Sequence, residues 1–248
     1  VPHALGLLLL VAAGFVASVV NTVAGGGSFL TLPLLIFLGL PAAEANGTNR
    51  LGVVFQNLAA VWGFNRARAM PWRTALQAAL PATVASVLGA WLALHLGDRE
   101  FRRILAIVMM AITLWTLAEP LVSRRADDAP RPSRPALALL LFVLAGLYGG
   151  FVQAGVGFLL LAATTFAGLD LLRGNAVKVL VVLLVTAAAL ALFAWDGKVR
   201  WIEGGALALG SVAGSLVGVR LAVLKGERWL RWAVTAAIAV FAVLLWIQ

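Results

Sequence analysis

The chain has 248 residues, 62% hydrophobic and 12% charged, with a formal net charge of +9 and no cysteine; its mean hydropathy is +1.01. Soluble domains carry about 45–50% apolar and roughly 25% charged residues, so a water-soluble globule is excluded and lipid is the natural solvent. With no cysteine, and only His3 and His95 as imidazoles near segment ends, disulfides, thiolate chemistry and a histidine-rich metal site drop out, and no cofactor is expected.

Apolar stretches lie at 4–22, 27–40, 49–64, 73–96, 102–121, 136–153, 157–169, 177–195, 202–224 and 231–247. A helix needs ~20 residues to cross ~30 Å of hydrocarbon, and most of these stretches reach or approach that length. The stretches 27–40 and 157–169 do not: as helices they extend only about 20 Å at 1.5 Å per residue. They predict half-spanning or broken helices. Basic residues fall in the short loops between stretches, the usual membrane anchoring signal, and not on one polar face as nucleic-acid binding requires.

At the first junction stands Asn21-Thr22-Val23-Ala24-Gly25-Gly26-Gly27-Ser28, followed by an apolar run holding Pro33. Three glycines free the backbone and leave amides bare for close approach. Ser28 is placed to N-cap the short helix after it. A helix N-terminus offers unpaired N–H groups and the positive end of a dipole, which suits an anion. Irregular backbone at membrane depth is tolerated only where protein buries it or a wet cavity needs it. Helix packing is the competing reading, since small residues let membrane helices approach closely.

Further along, Asn46, Asn49, Arg50, Gln56 and Asn57 follow spacings that share one helical face. Polar groups inside an apolar segment should face protein or water. Arg50 is a candidate counter-charge for a bound anion; snorkelling at a helix end is the alternative. For Gln56 and Asn57 the alternative is hydrogen bonding between helices.

Ser123 to Pro135 holds four arginines, two aspartates and three prolines and predicts a polar linker, dividing the chain into 1–122, 123–135 and 136–248. Beyond it the chain repeats itself at an offset of 129 residues without a gap. Gly26 matches Gly155, Phe29-Leu30 matches Phe158-Leu159, Gly39-Leu40 matches Gly168-Leu169, and Asn46 matches Asn175. Trp72 matches Trp201, Ser86 matches Ser215, Gly89 matches Gly218, and Arg102 matches Arg231. Residues 4–20 alone could pass for a signal peptide, but their stretch has a partner at 136–153 and is expected to belong to the mature fold.

The partner of the glycine-rich junction is Gln153-Ala154-Gly155-Val156-Gly157, again before a short apolar stretch. The partner of the polar stripe holds Asn175, Lys178 and Thr186, with Lys178 at the position of Asn49, beside that of Arg50. Substitution of Arg50 or Lys178 is expected to weaken anion uptake without unfolding the protein. An odd number of segments per half makes the second half enter from the opposite side, an inverted repeat with the site between the halves near mid-membrane. The loops with Arg66, Arg68 and Arg73 and with Arg124, Arg125, Arg131 and Arg134 would then be cytoplasmic, although Arg99, Arg102 and Arg103 would fall outside, against the charge rule.

These residues also resemble a known family. Val23-Ala24-Gly25-Gly26-Gly27-Ser28-Phe29-Leu30-Thr31-Leu32-Pro33, then Gly39, then Ala45-Asn46-Gly47-Thr48-Asn49-Arg50, is similar to the TauE/SafE sulfite exporters, also called the toluene sulfonate uptake permease family. The second half departs from the pattern: its glycine motif is reduced to Gly155-Val156-Gly157, and Gly174-Asn175-Ala176-Val177-Lys178 lacks the Gly-Thr signature. The resemblance implies transport of small sulfur-containing anions such as sulfite or organosulfonates, often outward.

The expected protein is an all-α polytopic membrane protein of about eight spanning and two short or broken helices, in a bacterial plasma membrane. Its partners are lipid and a small anion, without nucleic acid. Its expected binding residues are Asn21, Gly25, Gly26, Gly27, Ser28, Asn46, Asn49, Arg50, Gln56, Asn57, Gln153, Gly155, Gly157, Asn175 and Lys178. Alternating access is the main functional reading; an anion channel and a non-transporting membrane subunit are the others. Gly27-Ser28 suggests no serine enzyme, because no histidine lies deep in a segment to activate a nucleophile.

Overall fold

The computed structural model describes residues 3–23, 25–104, 106–107, 110–111 and 134–246. Most of the predicted stretch 102–121 and residues 123–133 of the predicted linker lie outside them. Among the described residues the fold is helical without strands. Four helices with both ends described precede the linker, α1 (His3–Val23), α2 (Ser28–Phe37), α3 (Ala42–Arg66) and α4 (Trp72–Leu94), and residues 98–104 after them are helical as well. Four follow it: α5 (Pro135–Phe151), α6 (Val156–Phe166), α7 (Leu171–Trp195) and α8 (Trp201–Trp246). The sequence offset reappears in the helices. Both ends of α3 recur 129 residues later as the ends of α7, and the start of α4 recurs as the start of α8.

Local chemistry sets these bounds. Proline opens α5, at the first turn where its missing N–H costs nothing. Asp170 caps α7 by accepting a hydrogen bond from the Arg173 amide at 2.9 Å. Gly39 and Gly168, equivalent in the repeat, take φ of +99° and +77° just past the ends of α2 and α6. That left-handed conformation favours glycine and turns the chain into the next helix.

The helices α2 and α6 hold 10 and 11 residues, about 15–17 Å, half of the hydrocarbon thickness. Residues 4–23 of α1, all of α4 and α7, and residues 201–224 of α8 are long and apolar enough to cross a membrane. The 25 residues of α3 are long enough too, but its polar stripe lowers its hydropathy, and that stripe is turned inward. One expectation is corrected: the stretch 202–224 and residues 231–246 of the last stretch are parts of a single helix, α8. Between them lie Lys225, Gly226, Glu227 and Arg228. A lone glycine costs a helix only about 1 kcal/mol, and its charged neighbours are good helix formers.

The halves interlock through equivalent elements. The helix α1 packs on α8, and its counterpart α5 packs on α4. Glycine permits both contacts: a methyl group on Gly210 or Gly214 would overlap the carbonyls of Val11 and Phe15, and one on Gly146 or Gly150 those of Ala82 and Ser86. Two buried serines cross between the halves in the same way. Ser86 Oγ shares its proton between Thr83 O of its own helix at 2.7 Å and Val185 O at 3.3 Å, and Ser215 Oγ donates to Gln56 O at 2.8 Å. Phe29 and its equivalent Phe158 stack on each other, centroids 6.5 Å apart.

Candidate functional site

Two chain breaks meet at the centre of the fold. Residues 25–27 separate α1 from α2, and residues 152–155 separate α5 from α6. Gly25 has φ of +101°; Gln153 and Gly155 have φ of +70° and +76°. The breaks touch directly: a Cβ built on Gly25 would lie 2.6 Å from the carbonyl carbon of Gly157. A Cβ on Gly26 would lie 2.8 Å from the Phe158 ring, and one on Gly27 would lie 2.7 Å from Cβ of Asn21. The glycines are therefore brought together as the repeat requires, and they serve close packing of backbone on backbone. Ser28 is buried as the first residue of α2, but the N-cap position belongs to Gly27, and no side chain caps the helix. The backbone at Gly27 already has right-handed helical angles, one residue ahead of the expected start.

A helix that stops inside a membrane leaves terminal carbonyls without partners. Here a cation from the opposite half fills that need at each break. Arg50, on α3, reaches the end of α5: Nη1 donates to Gly149 O at 3.1 Å, and Nη2 to Gly150 O at 2.5 Å and Phe151 O at 3.4 Å. Its guanidinium carbon lies 4.7 Å from the centre of the Phe193 ring, within cation–π range. Asn46 Nδ2 donates to the same Phe151 O at 2.9 Å. Lys178, on α7, reaches the end of α1. Its Nζ donates to Asn21 O at 2.9 Å, Thr22 O at 3.1 Å and Asn175 Oδ1 at 2.7 Å. Gly150 and Phe151 are the repeat equivalents of Asn21 and Thr22, so the two cations hold the same pair of carbonyls in each half.

Of the predicted stripe, Asn46, Asn49, Arg50, Gln56 and Asn57 are all buried on α3, and Asn175 and Lys178 on α7. Arg50 is 0% exposed and Lys178 2%, which removes the snorkelling alternative for both. Asn49 Oδ1 accepts from Thr31 Oγ1 at 2.6 Å, and Gln56 Oε1 from Ser18 Oγ at 2.8 Å. Gln153 Nε2 donates to Thr186 Oγ1 at 2.9 Å. Asn57 turns back on its own helix, donating to Val53 O at 2.8 Å. Asn21 contributes its main-chain carbonyl.

Ser18, Thr22, Thr31 and Tyr148 join the site beyond the residues expected there. Small hydroxyl residues in apolar helices are too common to stand out, but Tyr148 is the one tyrosine of the chain. Its hydroxyl donates to Ala154 O and braces the second break.

The site gathers two buried basic side chains, Arg50 and Lys178. None of the described Asp or Glu side chains is buried. The ion pairs among the described residues are Arg102–Asp98, Arg173–Asp170 and Arg200–Glu44, each with an exposed partner and none at the breaks. In the last, the Glu44 carboxylate raises the pKa of the exposed Arg200 by hydrogen bond and charge.

Apolar helices too hydrophobic for water, two of them short, with buried cations at facing chain breaks, define an integral membrane protein of the transporter class. The chain belongs to the TauE/SafE family: the profile described as "Sulfite exporter TauE/SafE" matches residues 10–245. A "probable membrane transporter protein" of Haemophilus influenzae is 31% identical over 226 residues, covering 91% of this chain and 88% of the relative. The "probable membrane transporter protein ORF9" of a Sinorhizobium species is 30% identical, covering 90% of this chain and 85% of the relative. The "probable membrane transporter protein YfcA" of Escherichia coli K12 is 30% identical, covering 93% and 85%. No solved structure gives a significant match.

Proposed function

We propose that this protein moves a small sulfur-containing anion, such as sulfite or an organosulfonate, out across a bacterial plasma membrane by alternating access. The observation that carries the reading is the pair of buried cations with no buried carboxylate beside them among the described residues. An unpaired buried charge costs several kcal/mol, so the excess needs a partner. The helix ends they cap offer roughly half a negative charge each, and the starts of α2 and α6 roughly half a positive charge each. The sum stays near two positive charges, which favours an anion at the junction.

In this reading residues 1–122 and 136–248 form an inverted repeat around the two breaks, joined by the polar segment 123–135. The equivalent helix bounds and the reciprocal Ser86 and Ser215 hydrogen bonds support a two-fold relation. The binding residues are those of the two breaks and the two stripes: Asn21, Gly25 to Ser28, Asn46, Asn49, Arg50, Gln56, Asn57, Gln153, Gly155, Gly157, Asn175 and Lys178. The tight Gly25–Gly157 contact and the Phe29–Phe158 stack then form the closed state, and passage of a solute requires them to part. Reconstitution into liposomes with labelled sulfite, sulfonates, sulfate and carboxylates tests the reading. Saturable counterflow of sulfite or a sulfonate is expected. Selective flux of a carboxylate alone would replace the substrate, and flux without saturation would replace the carrier with a channel.

A further inference from the structure

The two breaks differ in what they offer a ligand. Among the described residues, six buried side-chain atoms have no hydrogen-bond partner: Asn49 Nδ2, Gln56 Nε2, Asn175 Nδ2, Arg50 Nε, Asn46 Oδ1 and Gln153 Oε1. They divide by the break to which their side chains are tied. Asn49 is bonded to Thr31 of α2, Gln56 to Ser18 of α1, and Asn175 to Lys178, which holds the end of α1. At this first break the Lys178 ammonium fixes Asn175 Nδ2 as an N–H donor, and Asn49 and Gln56, bonded to hydroxyls, are oriented with their N–H groups spare. Asn46 and Arg50 are bonded to the end of α5, and Gln153 lies in the second break itself. There, two of the three atoms are acceptors, which repel an anion.

The cations differ in the same direction. Arg50 is committed to three carbonyls and to the Phe193 ring, and its planar fork cannot leave one partner without disturbing the others. Lys178 is a compact point charge on a flexible stem, and its three bonds can be exchanged singly. We propose that the transported anion seats at the break between α1 and α2, against Lys178 and the amides of Asn49, Gln56 and Asn175, while Arg50 is a fixed cap that holds the end of α5. The proposal rests on the anion-transport reading above and narrows it. Three amide donors and an ammonium suit a group with several acceptor oxygens, such as the –SO₃ head of sulfite or a sulfonate, better than a halide. Binding exchanges at least one of the Asn21 and Thr22 carbonyls for an anion oxygen, so it loosens the grip of α7 on α1.

The test compares a carboxylate built into each break. Asn175→Asp sets a permanent anion beside Lys178; Asn46→Asp sets one on the carbonyl that Arg50 holds. Half-saturation is measured by sulfite-dependent melting temperature of the purified protein in detergent, with sodium chloride at equal ionic strength as control, and by sulfite counterflow in liposomes. Asn175→Asp is expected to fold, because its carboxylate pairs with Lys178, and to raise half-saturation at least about tenfold, as is Lys178→Gln. Asn46→Asp and Arg50→Lys are expected to shift it less and to act mainly on melting temperature without sulfite. A larger half-saturation shift on the Arg50 side, or failure of Asn175→Asp to fold, overturns the proposal and leaves transport standing. A wild-type protein indifferent to sulfite and sulfonates in both assays overturns the transport reading, and this one with it.

Discussion

The break between α1 and α2 and the break between α5 and α6 are built to one plan and finished differently. Both interrupt a membrane helix, both lead into a short helix, and both are clasped by a cation from the opposite half. Yet the first is closed by a lysine and lined by spare amide donors, whereas the second is closed by an arginine and plugged by Gln153, whose side chain is tied to Thr186. Duplication fixes where a helix ends; single substitutions then decide what the end can bind. Arg50 stands where the second half has Val179, and Lys178 where the first half has Asn49. Two changes at neighbouring positions make equivalent sites unequal.

The largest effect should come from the point where the breaks touch. Gly25→Ala meets both a φ of +101° and the backbone of Gly157, and Gly157→Ala meets Gly25 in return. Gly25→Ala is expected to cost roughly 3 kcal/mol or more from overpacking and backbone strain together, and Gly157→Ala about 1–3 kcal/mol from overpacking alone, each read as a fall in melting temperature or lost yield. Tolerance of alanine at one glycine alone would show that the contact is not shared equally.

Next, Arg50→Ala leaves three helix-end carbonyls without their charged donor and should destabilise by about 2–3 kcal/mol. This revises the sequence-based expectation that its loss would spare the fold: a cation bonded to main chain is part of the scaffold. Denaturation of Arg50→Ala beside Lys178→Ala would show whether the arginine cap is the stronger, as its wider contacts require.

A smaller and symmetric loss is expected from Ser86→Ala and Ser215→Ala, about 1 kcal/mol each for one buried hydrogen bond. Unequal values would place the difference between the halves outside the breaks as well. The smallest effect belongs to Glu44→Gln, which removes an ion pair with the exposed Arg200. Such pairs contribute little, and no measurable change in melting temperature is expected.

Much of this architecture is legible in the amino-acid sequence. The offset of 129 residues predicts equivalent helices, and α3 and α7 obey it at both ends. The short stretches predict short helices, and the polar spacing of Asn46, Asn49, Arg50, Gln56 and Asn57 predicts an inward face. The continuity of α8 is not legible, because a charged interval reads as a loop although it contains no helix breaker strong enough to make one. The helix start at Ser28 reads one residue late, because the glycine ahead of it can adopt helical angles as readily as others.

Hydropathy, polar spacing and the residue matches at an offset of 129 are enough to read from the sequence that this chain lives in lipid, that it repeats itself with two interruptions, and which face of α3 is turned inward. Those properties are encoded locally, one residue at a time along the chain. What the faces meet is set by packing in three dimensions: Arg50 and Lys178 each clasp a helix end of the other half, Gly25 lies on Gly157, and spare donors gather at one break while spare acceptors gather at the other. A helical face is written in a single segment, but its partner depends on how segments more than a hundred residues apart come together.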